Sequence, residues 1–215
     1  MALEPVFLRP MLRGYIHLAS ALAAPFALAW LLLIADSATG YIGGAVFGVG
    51  LLLLFATSAS YHIPPWPPRA RRIIARFDHS MIFIAIAASY TPFCLRVIDS
   101  AWGIAILAVV WSLALGGVVM KMAWPSAPKW LSVACYLVVG WVAVTGIGPL
   151  SEALPARAII LLVVAGILYS VGAIIYAVRW PNPLPRFVGH HEIFHLMVTV
   201  ASVMLYGVVA TYVVA

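Results

Sequence analysis

Charged side chains are scarce in this sequence: Asp, Glu, Lys and Arg together make up 8% of its 215 residues. Soluble globular proteins carry about 25% charged residues, so the composition excludes an ordinary soluble domain. Hydrophobic residues account for 65% of the chain, and one membrane-spanning helix needs about 20 mainly apolar residues. The length accommodates seven such spans with short connections, which predicts a single integral membrane domain over residues 1–215.

Cysteine is nearly absent as well, and the excess of basic residues is modest. Cys94 and Cys135 both lie in apolar stretches and form no CxxC pair, which indicates packing residues in a reduced or lipid environment. The net charge of +6 comes from residues at the ends of apolar segments. That distribution predicts membrane orientation and not a nucleic-acid partner.

Seven apolar segments separated by helix breakers predict an all-α, seven-transmembrane helix bundle. The first run is interpreted as a retained span and not a signal peptide, because it lacks a small-residue cleavage site followed by a soluble mature protein. The predicted spans cover residues 14–34, 41–62, 77–95, 102–122, 130–147, 158–178 and 191–214.

Basic residues divide unequally between alternate connections. Arg96 and Arg157 stand on one side, and the other ten Lys and Arg residues fall in the N-terminal tail and the second, fourth and sixth connections. The positive-inside rule then predicts a cytoplasmic N-terminus and an extracytoplasmic C-terminus in a multi-pass protein of the cell membrane. This orientation is opposite to that of G-protein-coupled receptors and the usual rhodopsins, and the last segment has no lysine for a retinal Schiff base.

Ionisable residues within predicted spans are costly and indicate function. His191 and His195 lie four residues apart, so a helix presents both imidazoles on one face. Ser58 and His62 have the same spacing at the end of the second span, and Asp78 lies in the first turns of the third span. The predicted topology brings all five residues to the same depth on the cytoplasmic side.

Three histidines from two helices predict a tetrahedral zinc site with one position open for water, since imidazole ligands favour zinc. Zinc makes hydroxide available near neutral pH. Asp78 is predicted to orient the water or accept its proton, and Ser58 to bind the water or polarise a substrate carbonyl. His191–His195 also matches the HExxH pattern, in which Glu192 would be the general base, although Glu192 could instead pair with a nearby arginine. No metal-ligating residue follows His195, so His62 supplies the third ligand in either interpretation.

The ordered motifs resemble the hemolysin III family, the bacterial branch of the progestin and adipoQ receptor (adiponectin receptor-like) family. They are Ser58-x3-His62, Asp78-His79-Ser80, Ser89-Tyr90-Thr91-Pro92-Phe93 and His191-x3-His195, and the resemblance covers essentially the whole chain. It implies a zinc ion held by His62, His191 and His195 near the cytoplasmic face. It also implies a ceramidase-like hydrolase of a lipid amide, although the chain lacks the receptors' sizeable N-terminal cytoplasmic domain.

Three functions follow as hypotheses. The first is a zinc-dependent hydrolase whose substrate is a membrane lipid with an amide or ester bond. The second is a non-enzymatic protein of membrane homeostasis or sensing, with structural zinc. The third and weakest is a pore-forming cytolysin or transporter, which requires a continuous polar stripe through helices whose outer halves are almost uniformly apolar. The remaining histidines, His17, His79 and His190, are interpreted as capping or interfacial residues.

Overall fold

The computed structural model describes residues 12–214 and is helical almost throughout that range. The helices are α1 (Tyr15–Ile34), α2 (Ala38–His62), α3 (Pro68–Arg96), α4 (Ala101–Ala123), α5 (Lys129–Trp141), α6 (Ile147–Ala153), α7 (Ala156–Val178) and α8 (His190–Tyr212), with a 3₁₀ segment, Val142–Gly146, between α5 and α6. Arg9, which contributes to the predicted orientation, lies outside the described residues.

Within residues 12–214, seven helical units are long and apolar enough to cross a membrane, with α5, the 3₁₀ segment and α6 together forming the fifth. Large apolar side chains cover their outer surfaces, for example Phe26 and Leu33, which are each 78% exposed. A surface of this kind is compatible with lipid and not with water. The predicted all-α, seven-helix membrane bundle is therefore confirmed.

Local sequence explains most helix boundaries. The hydroxyl of Ser37 accepts a hydrogen bond from the backbone N–H of Gly40 and caps α2, and Ser100 caps α4 through Gly103 in the same way. The third helix begins at Pro68 and not at Phe77, because proline is well suited to the first turn of a helix. Its early start adds turns that carry four arginines, which the sequence interpretation had placed in a loop.

The bundle is organised around α2 and α8. More than half of the spanning part of α2 is buried, 56%, which is a larger share than in the other described spans. Gly43 allows this close packing, since a β-carbon there would lie 2.8 Å from the Cα of Pro92 in α3. The final helix, α8, packs against α7 and α1 and also touches α2 and α3. Residues on α8 are thereby brought against the ends of α1, α2 and α3.

Candidate metal centre

Two helix ends meet at one end of the bundle and bring three histidines together. His62 is the last residue of α2, which stops there because two prolines follow Ile63. His191 and His195 occupy the first two turns of α8. We call this end of the molecule the histidine end.

The three imidazoles form a compact triangle. The ring centroids of His62 and His191 are 4.7 Å apart, those of His62 and His195 5.0 Å, and those of His191 and His195 4.7 Å. One ligand nitrogen from each ring lies within 4.8 Å of the other two, and His62 and His195 are buried. The prediction that these histidines lie close enough to bind one metal ion is confirmed.

Asp78 lies beside this triangle. Its Oδ2 atom is 3.9 Å from Nε2 of His62, and the residue is 8% exposed. The carboxylate is thus placed where it can reach a molecule bound at the histidines, as the sequence led us to expect. Its chemical role remains a prediction.

Ser58 contacts a fourth histidine, and its role towards a bound water or a substrate carbonyl stays a prediction. Its hydroxyl lies 2.8 Å from Nδ1 of His17, on α1, and both residues are 2% exposed. The His17 ring also stacks on His195, with centroids 3.9 Å apart and planes 8° apart. Sequence reasoning had treated His17 as an interfacial residue. Its position in the first turn of the first span, at the same predicted depth as the other histidines, was the available signal.

Glu192 faces away from the chemistry that the HExxH pattern assigns to it. Oε2 accepts a hydrogen bond of 2.8 Å from the backbone N–H of Gly189, and Oε1 accepts one of 2.7 Å from Nε of Arg13. Both carboxylate oxygens are therefore engaged at the start of α8, and the residue is only 1% exposed. Of Asp78 and Glu192, Asp78 is the acid that lines the cavity next to the histidines.

His79 and His190 stand apart from the triangle. Nε2 of His79 lies 3.4 Å from the hydroxyl of Tyr176. Nδ1 of His190 lies 2.8 Å from Oδ1 of Asn182, which also accepts the backbone N–H of His190 and so holds the connection before α8.

A cavity of about 400 Å³ extends from the histidine triangle into the bundle. Its polar end includes Ser58, Asp78, His191 and His195. Elsewhere it is lined mainly by apolar side chains of α2, α3, α5, α6 and α7, such as Phe47, Leu51, Ile86, Leu137, Ile147 and Leu162. This volume lies within the range typical of small-molecule sites, about 300–1,000 Å³. An elongated apolar molecule with one polar group can place that group at the histidines.

Comparison with known proteins identifies a matching family model and bacterial relatives. Residues 6–206 match the family model described as Haemolysin-III related. Hemolysin-3 of Bacillus cereus is 36% identical over 177 residues, which cover 82% of this chain and 78% of that protein. The Hemolysin-3 homolog of Bacillus subtilis (strain 168) is 37% identical over 176 residues, which cover 82% of this chain and 79% of the relative.

Proposed function

The chain belongs to the haemolysin-III-related family of multi-pass cell membrane proteins, and from that premise we propose that it is a zinc-dependent hydrolase of a membrane lipid. The bond cleaved is an amide or an ester. The observation that carries the proposal is the opening of a largely apolar cavity onto the Asp78 carboxylate and onto His191 and His195, two of the three clustered imidazoles.

The donor set fits zinc. Three neutral imidazoles with a fourth position left to water or substrate form the arrangement typical of catalytic zinc, whereas structural zinc is usually closed by four protein ligands. Among the described residues, the group close enough to share one ion contains His62, His191 and His195 alone. Bound zinc supplies Lewis-acid polarisation of a carbonyl and a more acidic water.

The residues around the histidines bind the substrate and transfer a proton. The apolar cavity binds the acyl chain and keeps the reacting group at the histidine end. Asp78 takes one proton from the attacking water as the water oxygen bonds to the acyl carbon. The same proton passes to the amine nitrogen, or to the alcohol oxygen of an ester, when the bond to the acyl carbon breaks. The products are a fatty acid and an amine or alcohol.

The hydroxyl of Ser58 and the ring of His17 support this arrangement. Their contact of 2.8 Å joins α1 to α2 beneath the triangle, and the stacking of His17 on His195 limits the rotation of that ring. With the proposed N-in orientation the site lies near the cytoplasmic leaflet, so a lipid from that leaflet is the substrate we expect.

Metal content tests the first part of the proposal. Detergent-purified wild type should contain about one zinc per chain by elemental analysis, and His191→Ala should lose it. His190→Ala is the matched control. His190 is next to His191 in the sequence, but its imidazole contacts Asn182 and lies outside the triangle. Equal zinc in wild type and His191→Ala would contradict the assignment of the ligands.

Asp78→Asn tests catalysis separately from metal binding. The variant should retain zinc and hydrolyse a ceramide or an N-acylethanolamine about 10²–10⁴-fold more slowly than wild type, the usual contribution of a general base. Full activity with full zinc would remove Asp78 from the mechanism. No hydrolysis of any lipid amide or ester by zinc-loaded wild type would favour structural zinc in a non-enzymatic protein.

A further inference from the structure

Residues around the start of α1 contact either a histidine of the triangle or the residue next to it. Gly14 lies against His62, Arg13 pairs with the residue after His191, and His17 stacks on His195. We call Arg13, Gly14 and His17 the α1 bracket. Its three contacts come from one short segment, although the triangle itself belongs to α2 and α8.

Gly14 brings the backbone of the bracket against the end of α2. A β-carbon at this position would lie 2.8 Å from Cβ of His62 and 2.9 Å from Cγ1 of Ile63, closer than real β-carbons approach other atoms. The residue also has φ of +89°, which disfavours any side chain. Only glycine therefore permits this packing without a shift of His62.

Arg13 fastens the bracket to α8. Its guanidinium donates to Oε1 of Glu192 over 2.7 Å, and the side chains of Arg13 and Glu192 are 14% and 1% exposed. The other carboxylate oxygen accepts the N–H of Gly189. One buried carboxylate thus joins the first turn of α8, which carries His191, to Arg13, two residues before the start of α1. Charge-assisted hydrogen bonds of this kind are among the stronger ones in proteins.

We propose that the α1 bracket is a positioning element that holds the three histidines in their relative places, with the Arg13–Glu192 pair as its principal contact. The inference rests on the proposed function in one respect, namely that zinc affinity is a readout. Arg13 and Glu192 are positioning residues and neither acts on the substrate.

The first experiment measures the Kd for zinc by chelator competition in detergent for Arg13→Met, Glu192→Gln and the double variant. Each single change should weaken zinc binding about 10–100-fold. This is the usual effect of removing a residue that orients the metal ligands without binding the metal itself. The double variant should bind zinc as weakly as the single variants and no weaker, because both changes remove one interaction. Gly14→Ala should act in the same direction.

Arg96→Met is the matched control. Arg96 forms an ion pair of 2.8 Å with Asp36 at the opposite end of the bundle, so its loss should leave the zinc Kd within about twofold of wild type. Thermal unfolding establishes that each variant is folded. If Gly14→Ala fails to fold, the Arg13 and Glu192 variants still decide the question.

The second experiment uses metal-free protein and needs no zinc. Amide hydrogen exchange over residues 189–195 should be at least tenfold faster in Arg13→Met and Glu192→Gln than in wild type, and unchanged in Arg96→Met. Faster exchange in a protein whose wild type binds no zinc would support the bracket while refuting the proposed function. Unchanged exchange together with zinc affinities within twofold of wild type would overturn the bracket.

Discussion

Gly140 provides a direct test of whether the cavity holds an acyl chain. This α5 residue lines the cavity, and a β-carbon added to it would meet no atom within 4 Å. The β-carbon of a leucine therefore meets no protein atom, and we expect the longer side chain to occupy space that a lipid would otherwise fill. The Tyr90 hydroxyl donates a hydrogen bond to the backbone carbonyl of Gly140. Because that acceptor belongs to the backbone, a new side chain at residue 140 leaves it in place.

The expected magnitude follows from the volume that leucine removes. Its four side-chain carbons displace about four methylenes of substrate, and each buried methylene contributes about 0.8 kcal/mol. The loss of about 3 kcal/mol corresponds to roughly 100-fold in affinity or in kcat/KM. A palmitoyl amide should lose that factor, whereas a lauroyl amide, four carbons shorter, should be nearly unaffected. Gly140→Leu should therefore prefer a shorter acyl chain than wild type does.

The assay compares the two acyl amides in wild type, Gly140→Leu and Gly116→Leu. Gly116 is the matched control, since a β-carbon there also meets no atom within 4 Å but the residue does not line the cavity. Equal losses for both chain lengths would show damage unrelated to chain binding. An unchanged ratio of palmitoyl to lauroyl turnover in Gly140→Leu would refute the assignment of the cavity.

Two further substitutions test the packing of the bundle. Gly43→Ala should lower the free energy of unfolding in detergent by about 1–3 kcal/mol, because its β-carbon would lie 2.8 Å from the backbone of Pro92. Gly207→Ala, which has open space around it, should not lower it. Equal stabilities of the two variants would contradict this packing. Lys121→Met should cost about 1–3 kcal/mol by leaving the buried Ser132 hydroxyl without its 2.7 Å donor. Adding Ser132→Ala should recover most of that loss, and no recovery would mean that the hydrogen bond is not its cause.

The seven-helix fold was predictable because each span is a long apolar run bounded by prolines, glycines or charges. The proximity of His62 to His191 and His195 was also predictable, since helical spacing and the alternation of basic residues placed them at one depth. The start of α3 was not, because Arg69, Arg71 and Arg72 lower the hydropathy of its first turns without preventing a helix. Hydropathy reports lipid contact, and a helix can extend beyond the region that is apolar.

Sequence patterns did not identify Arg13 as the partner of Glu192, or Gly14 as a contact of His62. Arg13 and Glu192 are 179 residues apart, and no spacing rule relates residues on different helices. The sequence left Glu192 either catalytic or paired with an arginine, and its carboxylate is bound by Arg13 and by the backbone of Gly189. Gly14 carries no side chain that could have pointed to a role, and its importance follows from how closely it approaches His62.

The late position of α8 has a consequence for biogenesis. His62 is available once α2 has been synthesised, but His191, His195 and Glu192 follow only after the four spans between α2 and α8. Arg13 is synthesised 179 residues before its partner Glu192. A chain that stops before α8 offers only His62 of the three imidazoles, so we expect the proposed metal site to form only once α8 has been inserted.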